Sequence, residues 1–127
     1  MIQLICHLLG DYVLQNHWMA NNKTSSTLAC AVHVALYSLP FALLIGVGGV
    51  GSWWSLAVIA GTHFVIDRWR LAKLWVNFWG VGVPSSWMAR LEIEQPPAAP
   101  SWMGVWLLII VDNTIHLAIN AGALAWL

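Results

Sequence analysis

His7-Leu-Leu-Gly-Asp11, His63-Phe-Val-Ile-Asp67 and Asp112-Asn-Thr-Ile-His116 are three occurrences of one pattern, an imidazole and a carboxylate four residues apart in apolar sequence. Residues at i and i+4 lie one turn apart on the same helix face, so each stretch reads as a helix that points a His and an Asp the same way. Every aspartate in the chain has such a partner. With the histidines scattered at random, each Asp would have one roughly 8% of the time, and all three together roughly once in two thousand chains.

The sequence around these pairs is that of a membrane protein. Hydrophobic residues make up 60% of the 127 positions and charged residues 8%, where a soluble domain carries about a quarter charged. The mean hydropathy is +0.73. Net charge is zero and no basic tract is present, so nucleic-acid binding has no electrostatic support. Cys6 and Cys30 lie in apolar segments and read as packed thiols, with Cys30 three residues before His33. The first apolar stretch lacks a basic region ahead of it and carries His7 and Asp11, so it does not read as a cleavable signal.

Four helical segments are expected, at about 2–18, 28–47, 53–79 and 102–127, forming one transmembrane domain over residues 1–127. Residues 19–27 form a polar connector, Pro40 is placed to kink the second helix, and Gly48, Gly49, Gly51 and Ser52 form a turn. Arg68–Trp79 alternates basic and aromatic residues, as an interfacial amphipathic continuation of the third helix would. Residues 80–101 read as a loop. The expected fold is therefore an all-α, integral membrane four-helix bundle with an amphipathic extension after its third helix.

Charge placement orients this bundle. Lys23, Arg68, Arg70, Lys73 and Arg90 fall on one side of a four-span topology, which places both termini outside the cytoplasm. Trp18, Trp69, Trp75, Trp79, Trp87 and Trp102 crowd the inner interface, and Trp53, Trp54 and Trp126 the outer one. Counted from the inner interface, the paired residues and His33 fall within about two turns of a common level. They read as one cluster.

Ionisable side chains at membrane depth cost about 2.5–3.5 kcal/mol each on insertion scales and mark function. His7, Asp11, His33, His63, Asp67, Asp112 and His116 are more ligands than one tetrahedral zinc requires. They suit two divalent ions, Zn, Mn or Fe, with aspartates bridging, as in carboxylate-bridged helical bundles. Such a pair of ions activates water and stabilises a phosphoryl transition state, with Asp11, Asp67 and Asp112 as the catalytic carboxylates. Gln15, Tyr37, Asn113 and Asn120 continue the polar faces as supporting donors, and Arg68 and Arg70 are placed to receive a lipid phosphate. His17, Glu92 and Glu94 read as surface residues.

The leading expectation is a metal-dependent hydrolase of a lipid or lipid-linked (phospho)ester at the inner leaflet. The alternatives are a metal carrier or sensor without catalysis, a membrane cytochrome with axial histidines, and a structural or phage accessory protein whose His and Asp form a buried polar network. Membrane lipid is the expected partner, together with association into a homo-oligomer or a larger membrane complex.

His7-Leu-Leu-Gly-Asp11-Tyr-Val-Leu-Gln15, followed by Trp18-Met-Ala and Lys23, resembles the opening signature of the bacterial and phage membrane family catalogued as domain of unknown function 3307. His33 before Leu39-Pro40-Phe41, His63-Phe-Val-Ile-Asp67 and Asp112-Asn-Thr-Ile-His116 resemble its later elements. The resemblance implies a small helical architecture and no particular activity. A fainter similarity, of pattern alone, connects the chain to membrane-bound metal-dependent hydrolases.

Overall fold

Seven α-helices and one π-helical turn account for the ordered backbone of the computed structural model, which describes residues 1–127. In chain order they are α1 (Ile2–Leu8), a π-helical turn (Leu9–Val13), α2 (His17–Asn22), α3 (Thr27–Gly46), α4 (Trp53–Trp69), α5 (Leu71–Trp79), α6 (Ser86–Arg90) and α7 (Ser101–Trp126). Short polar side chains start several of them by accepting from otherwise unpaired backbone N–H groups. Asn16 accepts from the Met19 amide at 2.9 Å, and Ser26 accepts from the Ala29 amide at 3.3 Å.

The all-helical class agrees with the sequence pattern, and α3, α4 and α7 begin within one residue of the expected positions. Three local expectations are corrected. The first helix does not run to Trp18: it widens into a π-turn at Leu9–Val13 and stops, and Asn16 then caps a separate helix. The third helix does not run to Trp79. It ends at Trp69, because Arg70 adopts a left-handed conformation (φ 54°), so the amphipathic stretch is a distinct helix, α5. The segment 80–101 contains a short helix, α6. Pro40, placed to kink α3, lies inside it and the helix continues through to Gly46.

The chain divides into two compact units, Met1–Trp69 with His116–Leu127, and Arg70–Ile115. In the first, Cys6, Tyr37, Phe41, Leu44, Ile59 and Ala123 form an apolar core, with Leu56 and Leu124 packed against it. Gly10 sits in the π-turn directly against α3: a methyl group there would stand 2.5 Å from Tyr37 Cδ2 and 3.0 Å from its Cα. Only a residue without a side chain lets the two backbones approach this closely. In the second unit, Ser85 ties α5 to the segment after α6: its hydroxyl donates to the Phe78 carbonyl at 2.7 Å, and its carbonyl accepts from Gln95 Nε2 at 3.0 Å.

Two helices, α3 and α7, are long and apolar enough to cross a membrane. The expected four spans are not all of that kind: α4 has 17 residues, and Ile2–Val13 is shorter still, where a full span needs about 20. Large apolar side chains of α3 face outward all the same, among them Leu28, Leu39 and Leu43.

Candidate metal centre

Two helices, with the π-turn, supply the polar layer of the first unit. Asp11 comes from the π-turn, His33 from α3, and His63 and Asp67 from successive turns of α4. The wider π-turn re-aims one residue of an otherwise regular helix, a feature common at functional sites. All four side chains are buried, His33 completely and His63 at 1% exposure.

Their donor atoms form a tight quartet. His33 Nε2 and His63 Nε2 are 2.9 Å apart. Asp11 Oδ1 lies 3.1 Å from the first and 3.3 Å from the second. Asp67 Oδ2 lies 3.1 Å and 3.2 Å from the same two nitrogens. Four ligands at about 2.0–2.1 Å from a tetrahedral ion are separated by about 3.3–3.4 Å, so these five of the quartet's six separations come close to the edges of such a shell, slightly contracted.

Hydrogen bonding alone serves this arrangement poorly. Each imidazole Nε2 carries either one proton or one lone pair, yet each faces the other nitrogen and two carboxylate oxygens within 3.3 Å. One N–H cannot be directed at two or three acceptors with good geometry. A shared cation satisfies all four at once.

A second ring of groups holds these four. His7 Nδ1 lies 3.4 Å from Asp11 Oδ2 and 3.0 Å from the Tyr37 hydroxyl. Asn120 Nδ2 donates to the same hydroxyl at 2.7 Å, and the Tyr37 ring stacks on His63 with centroids 3.6 Å apart. His116 approaches from α7, its Nδ1 3.2 Å from His63 Nδ1 and its Nε2 3.7 Å from Asp67 Oδ1. His7 and His116, expected as ligands, lie beside the quartet, and His116 belongs with Asp67 and Asp112 to a second group that could hold a metal ion. Tyr37 and Asn120, expected as supporting donors, are both in this ring.

The remaining expected residues are placed as follows. Asp112 is half-buried on α7, one turn before His116 and in the second unit. Asn113 donates to the Ile109 carbonyl of its own helix at 2.8 Å. Gln15 is half-buried in the turn after the π-segment. Arg68 donates to the Thr24 carbonyl, and Arg70 is exposed in the second unit.

Sequence reasoning missed Lys23 as a site residue. Its Nζ lies 2.8 Å from Asp67 Oδ2 and 3.4 Å from His33 Nε2. The usable signal was a lone lysine in a polar connector between cluster-bearing helices. Helical spacing does not connect residue 23 to residue 67.

The donor set, two imidazoles and two carboxylates close to one another in a buried layer, could hold a metal ion. His33 Nδ1 is buried and has no hydrogen-bond partner, so the second ring supports His63 more fully than His33. No curated protein and no solved structure matches this chain. Residues 1–121, which contain every residue of the site, match the family described as a protein of unknown function (DUF3307), and the chain belongs to that family.

Proposed function

We propose that this chain is a membrane protein that binds one divalent metal ion, best Zn2+, through Asp11, His33, His63 and Asp67. The observation that carries the proposal is the quartet itself, with five donor–donor separations of 2.9–3.3 Å inside a buried layer. A hydrogen-bonded network of the same residues would space its members by alternate donors and acceptors. Outward-facing Leu28, Leu39 and Leu43, and two helices long and apolar enough to span, support lipid as the surrounding medium.

The closed shell bears on the kind of function. Catalytic zinc sites keep one position open for water or substrate, whereas an ion held by all four of these protein donors would have none. Metal holding, as in a carrier or sensor, is therefore favoured over hydrolysis of a lipid (phospho)ester. The hydrolytic reading rests on the remaining His and Asp: His116 Nε2, 3.7 Å from Asp67 Oδ1, and Asp112 one turn before it on α7 would have to build a second ion site.

Metal analysis of detergent-purified protein, wild type beside Asp67→Asn, tests the proposal. About one equivalent of Zn2+ in the wild type, lost in the variant, is expected. No retained ion after reloading with Zn2+, Mn2+ or Fe2+ would overturn it. About two equivalents, with release of phosphate from a phospholipid or polyprenyl-phosphate substrate, would establish the hydrolytic reading instead.

A further inference from the structure

Lys23 stands where the positive charge of an ion is needed. Its ammonium is 2.8 Å from Asp67 Oδ2, the same oxygen that contacts both quartet imidazoles, and 3.4 Å from His33 Nε2. From these contacts, and resting on the metal-binding reading above, we propose that Lys23 is a built-in exchangeable cation: its ammonium occupies the site's charge in the metal-free protein and is displaced when a divalent ion enters.

Charge balance supplies the first argument. Asp11 and Asp67 bring two negative charges into a layer almost closed to solvent. Without an ion, Lys23 offsets one of them, and a buried carboxylate with no such partner is costly. With a divalent ion bound and Lys23 retracted, the charges sum to zero. With both present, two cations would share one oxygen at contact distance in a poorly screened environment, where like charges repel strongly. The ion and the ammonium are therefore alternatives.

Position supplies the second argument. The quartet side chains are 0–10% exposed, whereas the Lys23 side chain is 18% exposed and is the most open of the group. It projects from the turn between α2 and α3, whose backbone is fixed by Lys23 N–H to the Met19 carbonyl at 2.9 Å and by the Arg68 guanidinium on the Thr24 carbonyl. The turn stays while the side chain moves. A lysine suits this, because it is a point charge on a flexible four-carbon stem, where arginine is a rigid fork.

The consequence is an affinity set for exchange. Every ion that binds must first displace a favourable contact, which weakens apparent binding by the strength of that contact. This is the behaviour of a carrier or sensor, as opposed to a permanent structural site.

The test combines Zn2+ affinity, measured by chelator competition in detergent, with labelling of Lys23 by reductive methylation read by mass spectrometry. Lys23→Met is expected to bind Zn2+ about tenfold more tightly than wild type, or tighter still, and Lys23→Arg to stay near or below wild type. In the wild type, Lys23 should be labelled slowly without Zn2+ and faster with it. Equal affinities for wild type and Lys23→Met, with no change in labelling on Zn2+ addition, would overturn the inference and leave the metal site standing. If neither protein binds Zn2+, the metal reading fails and the inference with it. Binding by Lys23→Met alone would also overturn the inference, because the ammonium would then exclude the ion and not exchange with it.

Discussion

Two adjacent layers of the same unit are built by the same helices and obey different rules. In the polar layer, α3 and α4 meet through His33 and His63; two turns along α3 they meet through Phe41 and Ile59. Tyr37 lies between, its ring stacked on His63 and its edge in the apolar core. The apolar layer needs only volume and shape, because dispersion and burial are non-directional. The polar layer fixes five atom–atom separations within 0.4 Å of one another. Burial of this many polar groups costs stability unless something binds them together, so on the metal-binding proposal the polar layer is kept for the ion and the apolar layer for the fold.

Substitutions in each layer should therefore separate ion binding from stability. His33→Ala removes a quartet donor; Zn2+ affinity is expected to fall a thousandfold or more, about 4 kcal/mol, beyond the loss seen when only a supporting group is removed. Competition with a calibrated chelator checks this, and a loss below tenfold would place His33 outside the metal shell. Phe41→Ala should do the reverse. It leaves a cavity between α3 and the rest of the core and should lower stability by about 3 kcal/mol in detergent unfolding, while Zn2+ affinity changes by only a few-fold.

Gly10→Ala acts where the two layers meet. The added methyl collides with Tyr37 at both ring and backbone, so α1 and α3 must separate. A destabilisation of about 1–3 kcal/mol is expected, together with weakened ion binding, since the same π-turn carries Asp11. Tyr37→Phe is the mildest. It keeps the ring on His63 and deprives Asn120 and His7 of their shared partner, costing about 1–2 kcal/mol of stability. Its effect on Zn2+ affinity should stay within about tenfold, the lower part of the range for supporting groups. A larger effect would mean that the hydroxyl itself contacts the ion.

Several features were legible from residue spacing. The i,i+4 pairs placed His7 with Asp11 and His63 with Asp67 on shared faces, and depth counting put them with His33 at one level. Asn120 and Tyr37 were marked as supporting residues, and they share a hydrogen bond. These are consequences of helix periodicity, which the chain carries locally.

Other features depend on how the helices meet. Spacing gave His7, His116 and His63 equal claims as ligands; only packing brings His63 Nε2 into the quartet and leaves His7 against Asp11 Oδ2 and Tyr37. The π-turn at Leu9–Val13 and the left-handed Arg70 are likewise local breaks that apolar periodicity does not register.

The sequence by itself determined that this is a helical, strongly apolar chain carrying a buried set of imidazoles and carboxylates, because composition and the 3.6-residue repeat are properties of the chain alone. The tertiary structure alone decided which four atoms converge, and that Lys23 reaches Asp67 from 44 positions away in the chain, because such contacts depend on the relative rotation of helices that no local pattern encodes.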